Sequence, residues 1–350
     1  MPFSKHSRIL YLQKSLRSID VDALLLSDRA NILYLTGFYI SGVSLLIPRL
    51  DKPVYFSDRM NFSLVGNSVK NKNFTVARGN TIADILDHIF SKKIGKIGIY
   101  PRYFDLDRYL AMRNKNGLKL LTVQNDVERM RSVKSAEEIV FLRTAAKATV
   151  KIWKYIEKRI AYGMTEIEIS TMLDTRIREL GYQNSFPSIV AAGPNSAHPH
   201  AVPTKKKLKN GEFVLLDFGI KYMDYSSDLT RIWHEGRMGR TLGAFYDAVR
   251  AVSDDAIRDL RPGVKIGNLV KKSYKRFLDS GLNGYIRHSL GHGVGLDIHE
   301  EPFLRENSED ILEKGMVVTI EPGLYKPKVG GIRWEDMVLI TKNGCEVLTV

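Results

Sequence analysis

The spacing of apolar residues changes character along this chain. Up to about residue 124, short apolar runs alternate with amphipathic stretches. "VDALLLSD" (21–28), "SLLIPR" (44–49), "PVYFSD" (53–58) and "KIGIY" (96–100) have the length and content of short strands. Ile9, Leu12, Leu16 and Ile19 recur at helical spacing and predict a surface helix. "TIADILDHIFSKK" (81–93) predicts another, with Thr81 as its cap and Asp84 in its first turn. This alternation predicts a small α/β domain over 1–124.

Helical spacing then dominates. The stretch 129–160 predicts a long helix with a Ser135–Glu138 capping box and a stripe of Ile139, Leu142, Ala146, Val150 and Trp153. A second helix over 165–181 opens with a Thr165–Glu168 box and stops at Gly181. Beyond 185 the signals are strands and turns, without an internal repeat. A boundary near 124–131 and an α+β second domain over 125–350 follow.

Composition narrows the class. The 350 residues are 44% hydrophobic, enough for a real core. No run approaches the roughly 18 apolar residues of a membrane helix, and the start is too polar for a secretory signal. The one cysteine, Cys345, excludes an internal disulfide, and a cytoplasmic protein is expected. Lys plus Arg number 53 against 39 Asp plus Glu, a net charge of +14. The charge is scattered, its densest cluster being "TKKKLK" (204–209), and there is no zinc-finger or aromatic-basic signature. Nucleic acid is therefore not the expected partner.

The chemistry gathers in the second half. "FVLLDFGIKYMDYSSDLTRIW" (213–233) reads as two strands about a turn near Tyr222–Met223, which would set Asp217 opposite Asp228. Cross-strand neighbours stand about 4.5–5.5 Å apart. Two carboxylates so placed among apolar residues need a proton, a basic residue or a cation between them. "GHGVGLDIHE" (291–300) adds His292 and His299. It lacks the third glycine of a dinucleotide loop, and "HEEPF" breaks the zinc-protease helix motif with Pro302 and Phe303. No nucleophile elbow for a serine is present. "MVVTIEPGLY" (316–325) and "GGIRWEDMVLI" (330–340) carry Glu321 and Glu335, with Arg333 on the Glu335 face by strand alternation. Asp217, Asp228, His292, Glu321 and Glu335 together form an oxygen-rich set suited to Mn²⁺ or another divalent first-row ion, and large enough for two ions if carboxylates bridge.

These segments resemble the pita-bread metallopeptidases, the superfamily of methionine aminopeptidase, aminopeptidase P, Xaa-Pro dipeptidase (prolidase) and creatinase. "SDRANILYLTGF" (27–38), "RSVKSAEEIVFLRTAA" (131–146), "AAGPNSAHPHAVPTKKKLKNGEFVLLDFGIKYMDYSSDLTR", "GHGVGLDIHEEP", "TIEPGLY" and "GIRWEDMVLI" follow in the family's order. The resemblance implies a pita-bread catalytic domain behind a smaller creatinase-like α/β domain. It implies two divalent ions (Mn, Co, Zn or Fe, with Mn favoured): Asp217 on one, Asp228 and Glu335 bridging, His292 and Glu321 on the other. It makes Glu321 the proton carrier and sets His200 and His299 against the substrate. Arg333 becomes a carboxylate partner or a support for Glu335. The implied activity is cleavage before proline by a homodimer, of Xaa-Pro dipeptides first and of longer Xaa-Pro peptides as the alternative; a binding-only module on this fold is the alternative of another class. Two departures stand out. Phe303 replaces an arginine common in prolidases, with Arg305 two residues on. Asp224 replaces the usual hairpin glycine and reads as a tolerated turn residue.

Overall fold

The computed structural model describes residues 5–69, 73–124 and 126–350. They form two compact units, meeting in sequence between Arg131 and Ser132.

In the first unit one mixed sheet holds β1 (Ala23–Leu26), β2 (Val43–Pro48), β3 (Val54–Ser57), β4 (Thr75–Arg78), β5 (Lys96–Ile99) and β6 (Lys119–Thr122), in the order β4-β3-β2-β1-β5-β6. The four apolar runs read from the sequence are β1, β2, β3 and β5. β4 and β6 are half-exposed strands without an apolar run to announce them. Helices α1 (Lys5–Ser18), α2 (Arg29–Thr36), α3 (Phe62–Val69), α4 (Ile82–Ser91) and α5 (Leu106–Arg113) alternate with the strands. The Thr81–Asp84 box caps α4 as the sequence predicts.

The predicted helix over 129–160 is two helices, α6 (Asp126–Ser132) and α7 (Ala136–Ile156). Ser135 is the reason: as the N-cap of α7, boxed with Glu138, it has extended backbone and interrupts the helical run. α8 (Glu166–Glu179) starts at its Thr165–Glu168 box, and Gly181 turns the chain away at φ +78°. Two further helices, α9 (Arg240–Asp259) and α10 (Ile266–Asp279), stand where the sequence reading has only strands and turns. Phe245, Val249, Val252 and Ala256 do form a stripe in α9, but the N-caps of α9 and α10, Gly239 and Lys265, make no side-chain cap bond. The side-chain start signal is missing, and periodicity alone marks these helices in the sequence.

Strands of the second unit form small sheets: β8 (Ile189–Ala192), β9 (Phe213–Phe218) and β12 (Leu229–His234) in one; β13 (Gly291–Gly293), β14 (Glu300–Leu304), β15 (Val317–Ile320), β18 (Asp336–Ile340) and β19 (Cys345–Val347) in another; β7 (Gln183–Asn184), β10 (Ile220–Tyr222) and β11 (Tyr225–Ser226) in a third; and the hairpin of β16 (Gly323–Lys326) with β17 (Gly330–Arg333). β9 is buried on both faces. Val214, Leu216 and Phe218 pack into the core under α7 and α8, and Phe213 and Leu215 into the core under α9 and α10. The second core is the larger, and burial of this kind contributes about 25 cal/mol per Å² of apolar surface.

One backbone frame recurs within this unit. Gly163 N–H donates to Leu208 O, Leu208 to Met164 O, Glu166 to Lys206 O and Ile167 to Thr204 O. One hundred residues later Gly263 donates to Leu312 O, Leu312 to Val264 O, Ile266 to Asp310 O and Gly267 to Ser308 O. Each frame anchors the start of a helix, α8 or α10. Among the matched positions Gly163 and Gly263, and Leu208 and Leu312, coincide while most others differ, too little identity to show as a repeat in the sequence.

Candidate metal centre

The hairpin β9–β12 corrects the predicted register. Thr230, not Asp228, faces Asp217, and the two-residue turn is Met223–Asp224 with both residues at positive φ, 50° and 68°. The pairing is displaced by two residues from the expected one. A strand repeats every two residues, so Asp228 keeps the same face, diagonal to Asp217 rather than opposite it. Gly219 lets the strands close here: a Cβ there would lie 1.8 Å from Ser227 O.

Glu321 and Glu335 occupy two corners. The stretches read as single strands break there, β15 into β16 around Glu321–Pro322 and β17 into β18 around Trp334–Glu335. Both carboxylates leave the ladders at the same place and line one cavity. His292 comes from β13, whose Gly291 sits so close to β15 that a Cβ would lie 2.0 Å from Thr319 O. Gly291 and Gly293 thus serve strand-to-strand approach, while Gly295 leaves room for the Glu300 carboxylate.

All eight residues singled out from the sequence, Asp217, Asp228, His292, Glu321, Glu335, His200, His299 and Arg333, line one cavity of about 510 Å³. Asp228, His292 and Glu335 each place a donor atom within 4.8 Å of the others. His292 Nε2 is 3.2 Å from Glu321 Oε1 and 3.8 Å from Asp228 Oδ2. Its Nδ1 faces Gly293 O at 3.0 Å, which leaves Nε2 turned to the carboxylates. The His299 ring stands edge-on to His292 with centroids 4.4 Å apart. The loop bearing His299 is braced by a buried ion pair, Lys134 Nζ to Glu300 Oε1 at 3.0 Å.

Arg333 lies inside the cluster, 3% exposed. It donates to Asp217 Oδ2 (2.5 Å), Tyr325 Oη (2.7 Å), Thr230 Oγ1 (3.0 Å) and Pro199 O (3.3 Å). It reaches Glu335 only through Thr230, whose hydroxyl donates to Glu335 Oε2 at 2.8 Å. Its direct carboxylate partner is Asp217.

Sequence reasoning missed His288. Its ring is within 2.8 Å of Tyr325 Oη and 3.8 Å of Glu321 Oε2, and it lines the same cavity. The available signal was its place four residues before His292 in "RHSLGH". His198 is exposed and lies outside the cavity lining.

Four carboxylates against one guanidinium leave a surplus of negative charge. Burial, then repulsion from Glu335 and Asp217, pushes the Asp228 carboxyl well up, and burial with repulsion from Glu321 and Asp217 does the same to Glu335. Burial also raises Asp217, against the pull of Arg333. Glu321 goes the other way: burial opposes it, but the hydrogen bond with His292 and the charges of His288, His292 and Arg333 hold it down to about 2. Asp217 Oδ1 and Asp228 Oδ1 are buried without a hydrogen-bond partner. Such orphaned acceptors cost about 1–3 kcal/mol each unless something positive meets them. A divalent cation fits: hard oxygen donors, one imidazole, and two unsatisfied carboxylate oxygens on residues that line the same cavity.

The comparisons agree with this chemistry. Residues 141–342 match the model of metallopeptidase family M24, and residues 8–133 match the creatinase/prolidase N-terminal domain. An Xaa-Pro dipeptidase of Pyrococcus horikoshii is 30% identical over 94% of this chain and 93% of its own. The structure of an Xaa-Pro dipeptidase from Bacillus anthracis superposes with a TM-score of 0.92 at 29% identity, covering 99% of this chain and 98% of the other. That of an X-Pro aminopeptidase from Thermotoga maritima gives 0.87 at 27% identity, covering 98% and 97%. With its α/β first domain, its mixed helix-and-sheet second domain and its buried carboxylate–histidine cavity, the chain belongs to metallopeptidase family M24, whose members work with divalent metal ions.

Proposed function

We propose that the protein hydrolyses the bond before proline, acting first on Xaa-Pro dipeptides, with two divalent ions held by Asp217, Asp228, His292, Glu321 and Glu335. The observation that supports the metal reading is the orphaned oxygen of Asp228, grouped with His292 and Glu335, together with a second orphaned oxygen on Asp217 in the same cavity lining. The oxygen-rich donor set favours Mn²⁺ over Co²⁺, Zn²⁺ or Fe²⁺. Bound ions of this kind acidify a water and polarise the amide carbonyl. Glu321, at the cavity wall and 3.2 Å from His292 Nε2, would take the proton of the attacking water and return it to the departing proline nitrogen as the C–N bond breaks. His200 and His299, from separate segments of the wall, hold the carbonyl side of the substrate. Arg333 fixes Asp217 and, through Thr230, Glu335.

Dipeptide preference rests on the two dipeptidase relatives and on Arg305. That guanidinium lines the cavity, 4.6 Å above the Phe303 ring, where a free peptide carboxylate would meet a positive charge. The likeness to an X-Pro aminopeptidase supports the second reading, removal of the first residue from longer peptides. The test is hydrolysis of alanyl-proline against a longer alanyl-prolyl peptide by metal-stripped protein given Mn²⁺, Co²⁺, Zn²⁺ and Fe²⁺ in turn. Cleavage of the longer peptide alone selects the aminopeptidase, and no turnover with any ion selects a binding-only module. Among the described residues no helix is long and apolar enough to cross a membrane. The solitary cysteine supports a cytoplasmic setting, and the family resemblance supports a homodimer, to be weighed by light scattering.

A further inference from the structure

The sequence "TEIE" (165–168) holds two glutamates with different fates. Glu168 caps α8 with Thr165 at the surface. Glu166 points inward and is 0% exposed. Its Oε1 accepts from Ala192 N–H (2.7 Å); its Oε2 accepts from Asn195 Nδ2 (2.9 Å), Thr204 N–H (2.9 Å) and Thr204 Oγ1 (2.7 Å). One carboxylate therefore ties both ends of the segment 192–204. That segment supplies Pro199, His200, Ala201, Val202 and Pro203 to the cavity wall, while Glu166 itself does not line it.

The repeated frame supplies a comparison within the molecule. The position matching Glu166 in the second copy is Ile266, equally buried and packed in the apolar core. The frame does not need a carboxylate at this point; it accepts an isoleucine. Burying a charged group in place of an alkyl side chain is costly unless its donors are supplied. Here two donors, Ala192 N–H and Asn195 Nδ2, lie outside the frame, and the other two are on Thr204, where the frame meets the segment, so the carboxylate ties the far end of the segment 192–204 back to the frame.

We propose that Glu166 is a positioning residue for the hydrolytic site: it holds the 192–204 segment, and through it His200, in the geometry that meets substrate. The proposal rests on the reading of His200 as a substrate contact. Glutamine in its place keeps the shape but presents an N–H₂ to groups that are themselves donors, so at least one bond becomes a donor–donor clash.

The experiment compares the full chain, Glu166→Gln, His200→Ala and the double variant. Each is purified with Mn²⁺, assayed on alanyl-proline and followed by backbone hydrogen exchange. Glu166→Gln is expected to speed exchange across 193–203 while leaving 213–218 and 291–293 as in the parent; unchanged exchange across 193–203 overturns the proposal whatever the activity. Its kcat/KM is expected to fall about tenfold to a hundredfold, the penalty of a displaced contact. In the His200→Ala background the same change should cost less than about threefold, because the group being positioned is gone. An equal loss in both backgrounds overturns the link to His200. Should Glu166→Gln fail to fold, Asn195→Ala removes one donor, with a smaller change of the same exchange signature expected and none overturning the idea. Full activity in His200→Ala would sink the role given to His200, while the exchange result still decides that of Glu166.

Discussion

The Arg333 guanidinium lies 2.5 Å from the Asp217 carboxylate, buried among three more carboxylates that it does not neutralise. Removing one partner of a buried pair leaves an uncompensated charge and typically costs about 3–5 kcal/mol. Arg333→Met should therefore lower the melting temperature of metal-free protein sharply, and less so with Mn²⁺ present, because the ions replace the lost positive charge. Equal losses with and without metal would count against a cation site at these carboxylates.

Asp228→Asn separates charge from packing. The side chain keeps its size, and the cluster loses one of the four charges that repel each other. Activity is expected to vanish, yet the metal-free protein should melt no lower than the parent. The parent should gain about 2.7 kcal/mol from metal at a hundred times its dissociation constant, and the variant much less. Calorimetry with and without Mn²⁺ reads both effects; near-normal turnover in the variant would refute the role given to Asp228.

Arg305 offers a test of substrate length. If it meets the free carboxylate of a dipeptide, Arg305→Ala raises KM for alanyl-proline about tenfold or more, the scale of a lost charge-assisted hydrogen bond, with kcat little changed. A longer alanyl-prolyl peptide should be affected far less. Equal effects on both substrates would remove Arg305 from the carboxylate site.

The Met223–Asp224 turn has both residues at positive φ, a conformation that favours Asn-Gly. Asp224→Gly relieves the backbone at φ 68° and is expected to leave stability unchanged or raise it by up to about 1 kcal/mol, without effect on turnover. A loss of stability in urea unfolding would show that the aspartate side chain does more than tolerate the turn.

Much of the site was legible because its residues stand in short, distinctive contexts. Asp217 interrupts an apolar strand, and Glu321 and Glu335 precede or follow strand ends. The error in the hairpin register did no harm to the reading of Asp217 and Asp228, since a slip of two residues preserves the face. Helices opened by a full capping box were legible, as at Thr81, Ser135 and Thr165, whereas α2 and α5, capped by Asp28 or Asp105 alone, and α9 and α10, without a side-chain cap, were not. Glu166 was hidden by its neighbour: Glu168 already satisfied the capping box, and nothing local says that a glutamate two residues earlier faces Ala192, Asn195 and Thr204. The repeated frame is written in backbone hydrogen bonds, which tolerate almost any side chain.

That repetition has a consequence for how the molecule comes apart. Asp217 and Asp228 follow the first frame in sequence, while His292 lies between the two segments of the second and Glu321 and Glu335 follow it. Cations bridging the two sets would tie distant stretches of the chain together like rivets, so their withdrawal should loosen the cavity walls first, while the shared apolar core around Phe213 and Leu215 holds.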